Sequence, residues 1–364
     1  MADVAERAGV SVSTVSRTLR GLSTVSPEAR RRVEQAVGEL SFVASRQASS
    51  LVTGKTGAVA VLTPHLNSWF VGAVLSGVGH VLRRSGRDLI VYSVSDMAER
   101  SAFFDRLPAR RNADALLVLS FDLAEEEYAG LDGLGMPVVY VSQHAPGRTS
   151  VYVDDVAGAR RGTRHLLNLG HRRIAFVHSV DRSGFTYSSR ERVAGYRQAL
   201  AEARLPLDEE LVVSTCGGPD GTRRAVGRLL GLRQPPTAVF AEADHIALEV
   251  LRVLRDSRIR VPEQVSLLGF DDQELAEWLD LSTMAQPAVE IGRTAGELAS
   301  ALIDGSDADL GQHIVLPTHL IPRGSTAPVP GSASGGGGGS GADQGADPDP
   351  GADPGADPAE AGDP

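Results

Sequence analysis

From Ala58 onward, short apolar runs alternate with amphipathic stretches, and no other feature of the chain limits its possible folds as much. The strand-like runs sit in AVAVLT, DLIVYSV, ADALLVLS, PVVYVS, RIAFVHS, TAVFAEA and VSLLGFDD. Between them lie helix-like stretches such as SGVGHVLRRSG, RRGTRHLLNLG, RVAGYRQALAEA, IALEVLRVL and RTAGELASALIDG. Strand-sized runs separated by helical patterns imply β-α-β units and a parallel sheet. About ten strands are too many for one comfortable sheet, so the expected class is α/β in two lobes.

At 364 residues the chain exceeds one ordinary domain, and 42% hydrophobic with 23% charged residues suits a globular protein. Met1 to Gly9 is polar and unlike a signal peptide, and no run long enough to span a bilayer follows; the expectation is a cytoplasmic protein with no membrane role. The single cysteine, Cys216, excludes an intrachain disulfide and a cysteine-based metal cluster. The net charge of −10 argues against nucleic acid until it is divided. Residues 1–60 carry eight bases against five acids, whereas residues 329–364 carry seven acids and no base. A basic head on an acidic body suits a DNA-binding module joined to a domain that does not bind DNA. The tail from Val329, GSASGGGGGSG followed by Gly-Ala-Asp-Pro near-repeats, cannot bury a core and is expected to be disordered.

The head, residues 1–43, has the texture of short helices and tight turns. In DVAERAGVSVSTVSRTLRG, Val4, Ala5 and Ala8 make a small apolar stripe. Gly9 ends that helix, Val10 plugs the turn and Ser11 caps the next helix. Val15 and Leu19 are expected to face inward, leaving Val12, Ser13, Ser16 and Arg17 outward. A third helix begins at Ser26-Pro27-Glu28 and buries Val33, Val37 and Leu40. Two helices joined by a Gly-containing turn form a helix-turn-helix, whose second helix enters the major groove.

These strings resemble the lactose-repressor (LacI/GalR) family of transcriptional regulators. DVAERAGVSVSTVSRTLRG, VSPEARRRVEQAVGELSF and SRQASSLVTGKTGAVAVL match its head in order and spacing. NLGHRRIAFV, SSRERVAGY, VPEQVSLLGFDD and LPTHLIPRGST match later segments, so the resemblance runs from about residue 1 to 327. It implies a helix-turn-helix head (1–43), a hinge helix or linker (44–56) and a two-lobed periplasmic-binding-protein-like effector domain (57–328). The first lobe would take 57–156 and 286–328, and the second 157–285.

The resemblance places Val12, Ser13 and Arg17 at base edges, Arg17 as a bidentate partner for guanine. Ser16, Arg20, Ser26 and Arg30 match or adjoin positions that touch the DNA backbone; a solvated helix face is the alternative for Arg30 to Arg32. Arg46, Ala48 and Leu51 fall on a hinge helix that forms on operator DNA, Leu51 wedging between base pairs in the minor groove and Ala48 letting two such helices approach. The chain has Ala44-Ser45 where the family often has Pro-Asn, and Met1-Ala2 supplies no side-chain cap for the first helix.

In the effector domain, Trp69 and Phe70 match an aromatic pair at the cleft, Arg192 an arginine that binds ligand hydroxyls or carboxylates, and Asp271 a cleft carboxylate; Asp244 lies beside another ligand position. Alternatives stay open: Phe70 as core, Asp271 as a helix cap, and Asp154 or Asp155 as structural. Ser142 and Ala243 stand where many members have Asp and Asn, so the hydroxyl-binding network is thinner and a larger ligand such as an oligosaccharide is expected. The implied function is a repressor whose homodimer binds a pseudo-palindromic operator under control of a sugar effector. A purine-like corepressor, or a sugar-binding protein with no DNA role, are the alternatives. No phosphate-binding loop, nucleophile triad or metal set is evident, so no enzyme activity and no cofactor are expected.

Overall fold

The structure, a computed structural model, describes residues 1–19, 22–42, 55–64, 66–179, 187–215, 218–305 and 311–329. Arg20, Arg46, Ala48, Leu51, Cys216 and the tail beyond Val329 lie outside the described residues.

The head is three helices, α1 (Ala2–Ala8), α2 (Val12–Leu19) and α3 (Pro27–Glu39). Its core is small: Val4, Ala5 and Ala8 from α1, Val15 from α2, Val33 and Ala36 from α3, with Val10, Val37 and Phe42 at its margin. Two expectations are corrected here. Leu19 is 37% exposed, and Thr18 is buried in its stead, its hydroxyl donating to Thr14 O at 2.9 Å. Leu40 is also exposed, and Ala36 takes the buried position. The alanine-lined core is too short to reach the last residue of α2 or the residue after α3.

The body holds two six-stranded sheets. The first contains β1 (Ala58–Thr63), β2 (Asp88–Ser93), β3 (Ala115–Leu119), β4 (Val138–Val141), β5 (Ser150–Val153) and β11 (His313–Leu316), all parallel, in the order β11-β5-β4-β3-β1-β2. The second contains β6 (Ile174–Ser179), β7 (Val212–Thr215), β8 (Ala238–Ala241), β9 (Ser266–Asp271), β10 (Ser282–Ala285) and β12 (His319–Ile321), in the order β12-β10-β9-β8-β6-β7. Only β12 is antiparallel, against β10.

A strand covered on both faces is apolar almost throughout, and β1 is buried along all six residues, of which only the last, Thr63, is polar. Val59 and Val61 face α4 (Trp69–Arg84) and α13 (Ala288–Ile303). Ala60 and Leu62 face the opposite layer, which holds Phe103 of α5 (Met97–Arg106) and Leu131 of α7 (Glu125–Asp132); the single turn α6 (Ala109–Asn112) precedes β3. In the second sheet Val239 and Leu267 pack on α10 (Gly218–Leu230) and α11 (Asp244–Asp256). Phe240 and Leu268 pack on α8 (Asp155–Asn168) and α9 (Tyr187–Glu202). The short α12 (Glu274–Trp278) follows β9. Helices α4 and α13 cross closely enough that a Cβ on Gly292 would lie 2.0 Å from Val74 O, and one on Gly77 2.1 Å from Val289 O.

The chain passes between the sheets three times: from β5 to α8 at Asp154, from β10 to α13 at Gln286 and Pro287, and from β11 to β12 at Pro317 and Thr318. The third passage departs from the expected lobe boundary. Residues from His319 onward pair with β10 and bond to Ser266, Leu267 and Ser282, so they join the second lobe instead of ending the first.

Candidate nucleic-acid interface and interlobe cleft

The head interface begins with its caps. Gly9 takes the left-handed conformation at the end of α1, its N–H reaching Ala5 O and Glu6 O. Ser11 Oγ accepts the Thr14 N–H at 3.2 Å and starts α2. With Val15 pinned in the core, α2 turns Val12 (47% exposed), Ser13 and Arg17 to solvent and leaves Ser16 half-buried. Ser26 Oγ accepts the Ala29 N–H at 3.3 Å as the cap of α3, and Arg30 Nη2 donates to Leu22 O at 2.9 Å, tying α3 to the preceding turn. Arg30 thus has a structural duty that the sequence reading did not assign. Met1 supplies no side-chain cap to α1.

The second site lies where the carboxyl ends of the strands gather. In parallel α/β sheets the crevice forms where strand order reverses, here around β1 in the first sheet and β6 in the second. The backbone there is unusual: Ser120, Ser142, Asp271 and Asp272 follow or end β3, β4 and β9, and all have positive φ, 126° at Asp271. Such conformations cost energy for residues with a side chain and gather at functional sites.

Arg192 is the centre of the second lobe's floor. Gly195, one turn further along α9, lets α9 approach α8 so closely that a Cβ there would lie 2.2 Å from Val156 O. This brings Arg192 against Asp155, the first residue of α8. Arg192 Nε donates to Asp155 Oδ1 at 2.8 Å, Nη1 donates to Glu242 O at 2.6 Å, and Nη1 lies 3.8 Å from Asp271 Oδ1. The guanidinium carbon sits 3.7 Å from the centroid of the Phe270 ring, a cation–π contact in a buried setting.

Asp271 accepts from Gln286 Nε2 at 2.6 Å, which links the floor of the cleft to the second passage between the sheets. Burial pushes its carboxyl up to about 7, opposed by Arg192 and reinforced by Asp244. Asp244 is raised by burial as well, to about 6, against its hydrogen bonds from Thr283 and the Gln273 backbone. Burial also raises Asp155, with Arg192 opposing it.

Placement separates the candidate residues. Trp69 opens α4 after β1 and is 37% exposed, whereas Phe70 is half-buried and packs on the first lobe's core. Arg192 and Asp271 meet at the floor. Asp244 is removed from the ligand candidates: it is fully buried, its Oδ1 accepts from Thr283 Oγ1 at 2.6 Å and its Oδ2 from Gln273 N at 3.0 Å, beneath a bare Gly269. Both oxygens hold the ends of β9 and β10 together. Asp154 caps α8 through Ala157 N at 2.8 Å. His171 bonds Thr237, Ser266 and Ala327 within the second lobe. Sequence reasoning missed Glu242, Ser179 and the Asp122–Arg190 pair, whose significance rests on contacts across many residues. Among the described residues no group of three or more His, Cys, Asp or Glu could hold a metal ion, and no helix is long and apolar enough to cross a membrane.

A three-helix head with an exposed α2 face, carried by a two-sheet body with a polar crevice, is the architecture of a ligand-responsive, DNA-binding transcriptional regulator. Residues 1–45 match the bacterial regulatory proteins of the lacI family, and residues 163–326 match the periplasmic binding protein-like domain. The chain is 30% identical over 339 residues to the HTH-type transcriptional regulator DegA of Bacillus subtilis (strain 168), covering 90% of this chain and 98% of that protein. It is 34% identical over 336 residues to the HTH-type transcriptional regulator CelR of Thermobifida fusca, covering 88% and 96%. Among solved structures, a CelR–cellobiose complex superposes with a TM-score of 0.67 at 32% identity, covering 89% of this chain and 98% of that one. The chain belongs to the LacI family of transcriptional regulators.

Proposed function

We propose that the protein is a cytoplasmic repressor that binds a pseudo-palindromic operator as a homodimer and responds to a saccharide in the interlobe crevice. The observation that carries this reading is the pairing of two surfaces in one chain. The first is the Val12–Ser13–Arg17 face of α2, held outward by a buried Val15; the second is the Arg192–Asp271 floor, with an exposed Trp69 at the carboxyl end of β1. An indole face suits the C–H face of a pyranose, and the cellobiose bound by the CelR relative makes β-linked glucose oligomers the first class to test. In this reading Arg17 contacts a base, Val12 and Ser13 line the same groove, and Ser16, Ser26 and Arg30 fix register on the backbone. Arg46, Ala48 and Leu51 keep the minor-groove role that the resemblance implies.

The dimer reading gains support from α12 and the residue after it. Leu275, Trp278 and Leu279 are exposed together, Trp278 by 75%, and a second copy covers such a patch. With relatives that are transcriptional regulators, we assign no enzymatic step.

The test is selection of bound duplexes from a random DNA pool, followed by fluorescence anisotropy with and without cellobiose. The expected result is a two-fold symmetric site whose half-sites are centred about 10 bp apart or a multiple of it. Arg17→Ala should relax base preference at one position per half-site. Recovery of sequences with no common site, or a uniform loss across all sequences in Arg17→Ala, overturns the assignment of α2 as the reading helix.

A further inference from the structure

Glu242 follows β8 directly, at the carboxyl edge of the second sheet, and Ser179 ends the neighbouring β6. These two strands flank the reversal of strand order, so the pair stands at the mouth of the crevice. The Glu242 side chain is buried. Its Oε1 accepts the Ser179 N–H at 2.6 Å and also the Ser179 hydroxyl. Its Oε2 is equally buried and has no hydrogen-bond partner among the described residues.

Arg192 is close but does not supply the missing donor. Its Nη1 goes to the main-chain oxygen of Glu242, and its ion pairs are with Asp155 and Asp271. Arg190, at the same crevice, is paired with Asp122 at 2.8 Å. Both guanidiniums therefore already face carboxylates, and neither is spare to meet an anion. Ser179, the partner of Glu242, also lines a cavity of about 540 Å³ between the end of β6 and α9, with His178, Ser189, Arg190, Val193, Ala194 and Arg197, room enough for a disaccharide. Beside Glu242, Ala243 contributes no polar side-chain atom, and both oxygens of Asp244 are taken by Thr283 and Gln273.

A buried carboxylate oxygen with no donor is unfavourable, and a bound molecule that brings a hydroxyl there relieves it. A phosphate or carboxylate brings charge of the same sign as Glu242, and the guanidiniums nearby, Arg190, Arg192 and Arg197, are each already paired with a carboxylate. We propose that Glu242 is a specificity-determining residue of the effector site: its Oε2 accepts a hydroxyl of a neutral saccharide, and its charge excludes phosphorylated sugars. The inference rests on the crevice being the effector site, as proposed above.

Isothermal titration of the full chain at pH 7.5 tests this, with cellobiose, maltose, lactose and trehalose as neutral probes and glucose 6-phosphate and trehalose 6-phosphate as charged ones. The wild type should bind at least one neutral disaccharide and neither phosphate. Glu242→Ala should weaken that binding by about tenfold or more, the loss of a hydrogen bond to a charged acceptor. Glu242→Gln keeps the size of the side chain and removes its charge. It should fold like the wild type by circular dichroism and melting temperature, and admit trehalose 6-phosphate. A purely structural glutamate would leave the ratio of neutral to phosphorylated affinity unchanged in both variants, and that result overturns the inference while the effector reading stands. Tighter binding of a phosphorylated sugar by the wild type does the same. No heat with any of the six probes overturns this inference and the saccharide reading together, leaving the operator selection as an independent measure of the DNA half.

Discussion

Arg190, on the second lobe, donates to the carboxylate of Asp122, on the first, at 2.8 Å, and among the described residues it is the one ion pair that spans the crevice. Both side chains are more than two-fifths exposed, and exposed pairs contribute only about 0–1 kcal/mol to a fold. The pair's significance is positional, because it biases the two lobes toward each other. Asp122→Asn should leave the melting temperature nearly unchanged and alter effector affinity, with the difference shrinking at high salt. Titration calorimetry at low and high ionic strength decides it. Equal affinities for wild type and variant at both salts would remove the pair from any role in closure.

Arg192 and Asp155 are buried to 6% and 3% exposure, and such a pair behaves differently. Removing one partner strands the other charge away from water, at a cost of about 3–5 kcal/mol. Arg192→Met should therefore show a large loss in urea unfolding. Adding Asp155→Asn should recover part of it, since the stranded charge is gone. If the double variant is as unstable as the sum of the two single ones, the pair is not the source of the loss.

Asp271 ties stability to pH. Its folded carboxyl titrates near 7, against an ordinary value of 3.8. Between those values the folded protein keeps a proton that the unfolded chain has released, so this group's contribution to stability falls as pH rises through the window. Asp244, raised to about 6, adds to the same slope. Asp271→Asn should gain melting temperature relative to wild type on going from pH 5 to pH 8. Parallel curves for the two proteins over that range would contradict the raised value.

The crossing of α4 and α13 depends on bare backbone. At Gly292 a methyl group would lie 2.0 Å from Val74 O, and rigid helix backbone cannot yield cheaply. Gly292→Ala should cost about 1–3 kcal/mol or more. Gly72, also on α4, has nothing within 4 Å of an added Cβ. Gly72→Ala should instead stabilise, by up to about 1 kcal/mol, through helix propensity. Thermal unfolding of the two variants compares them directly, and a similar loss in both would refute the packing argument.

The alternation that begins at Ala58 made the α/β class legible because β1, β3, β6 and β9 each carry a run of four or five buried apolar residues covered on both faces. The strands β5, β7, β10, β11 and β12 were harder to see: they run three or four residues and include Ser, Thr, Tyr and His. Their pairing comes from neighbouring strands, not from a local pattern. In the head, helical periodicity put Leu19 and Leu40 inside, but it says nothing about where a short core ends. In the crevice, the resemblance singled out Arg192 and Asp271, which the fold brings to within 3.8 Å of each other. Asp244 was misread because its carboxylate turns inward to Thr283 and Gln273, a direction that residue type alone does not fix. Glu242 carries no motif, and its meaning depends on Ser179, 63 residues away in the chain.

The three passages between the sheets, at Asp154, at Gln286–Pro287 and at Pro317–Thr318, act as three parallel flexures. Each is anchored on the second-lobe side: Asp154 caps α8, Gln286 donates to Asp271, and Thr318 accepts from Arg161. One flexure would let the lobes swing, twist and slide. Three side by side resist twisting and sliding and leave bending as the soft direction. A saccharide bound in the crevice, as proposed above, would thereby act along a single mechanical coordinate, whichever residues it touched.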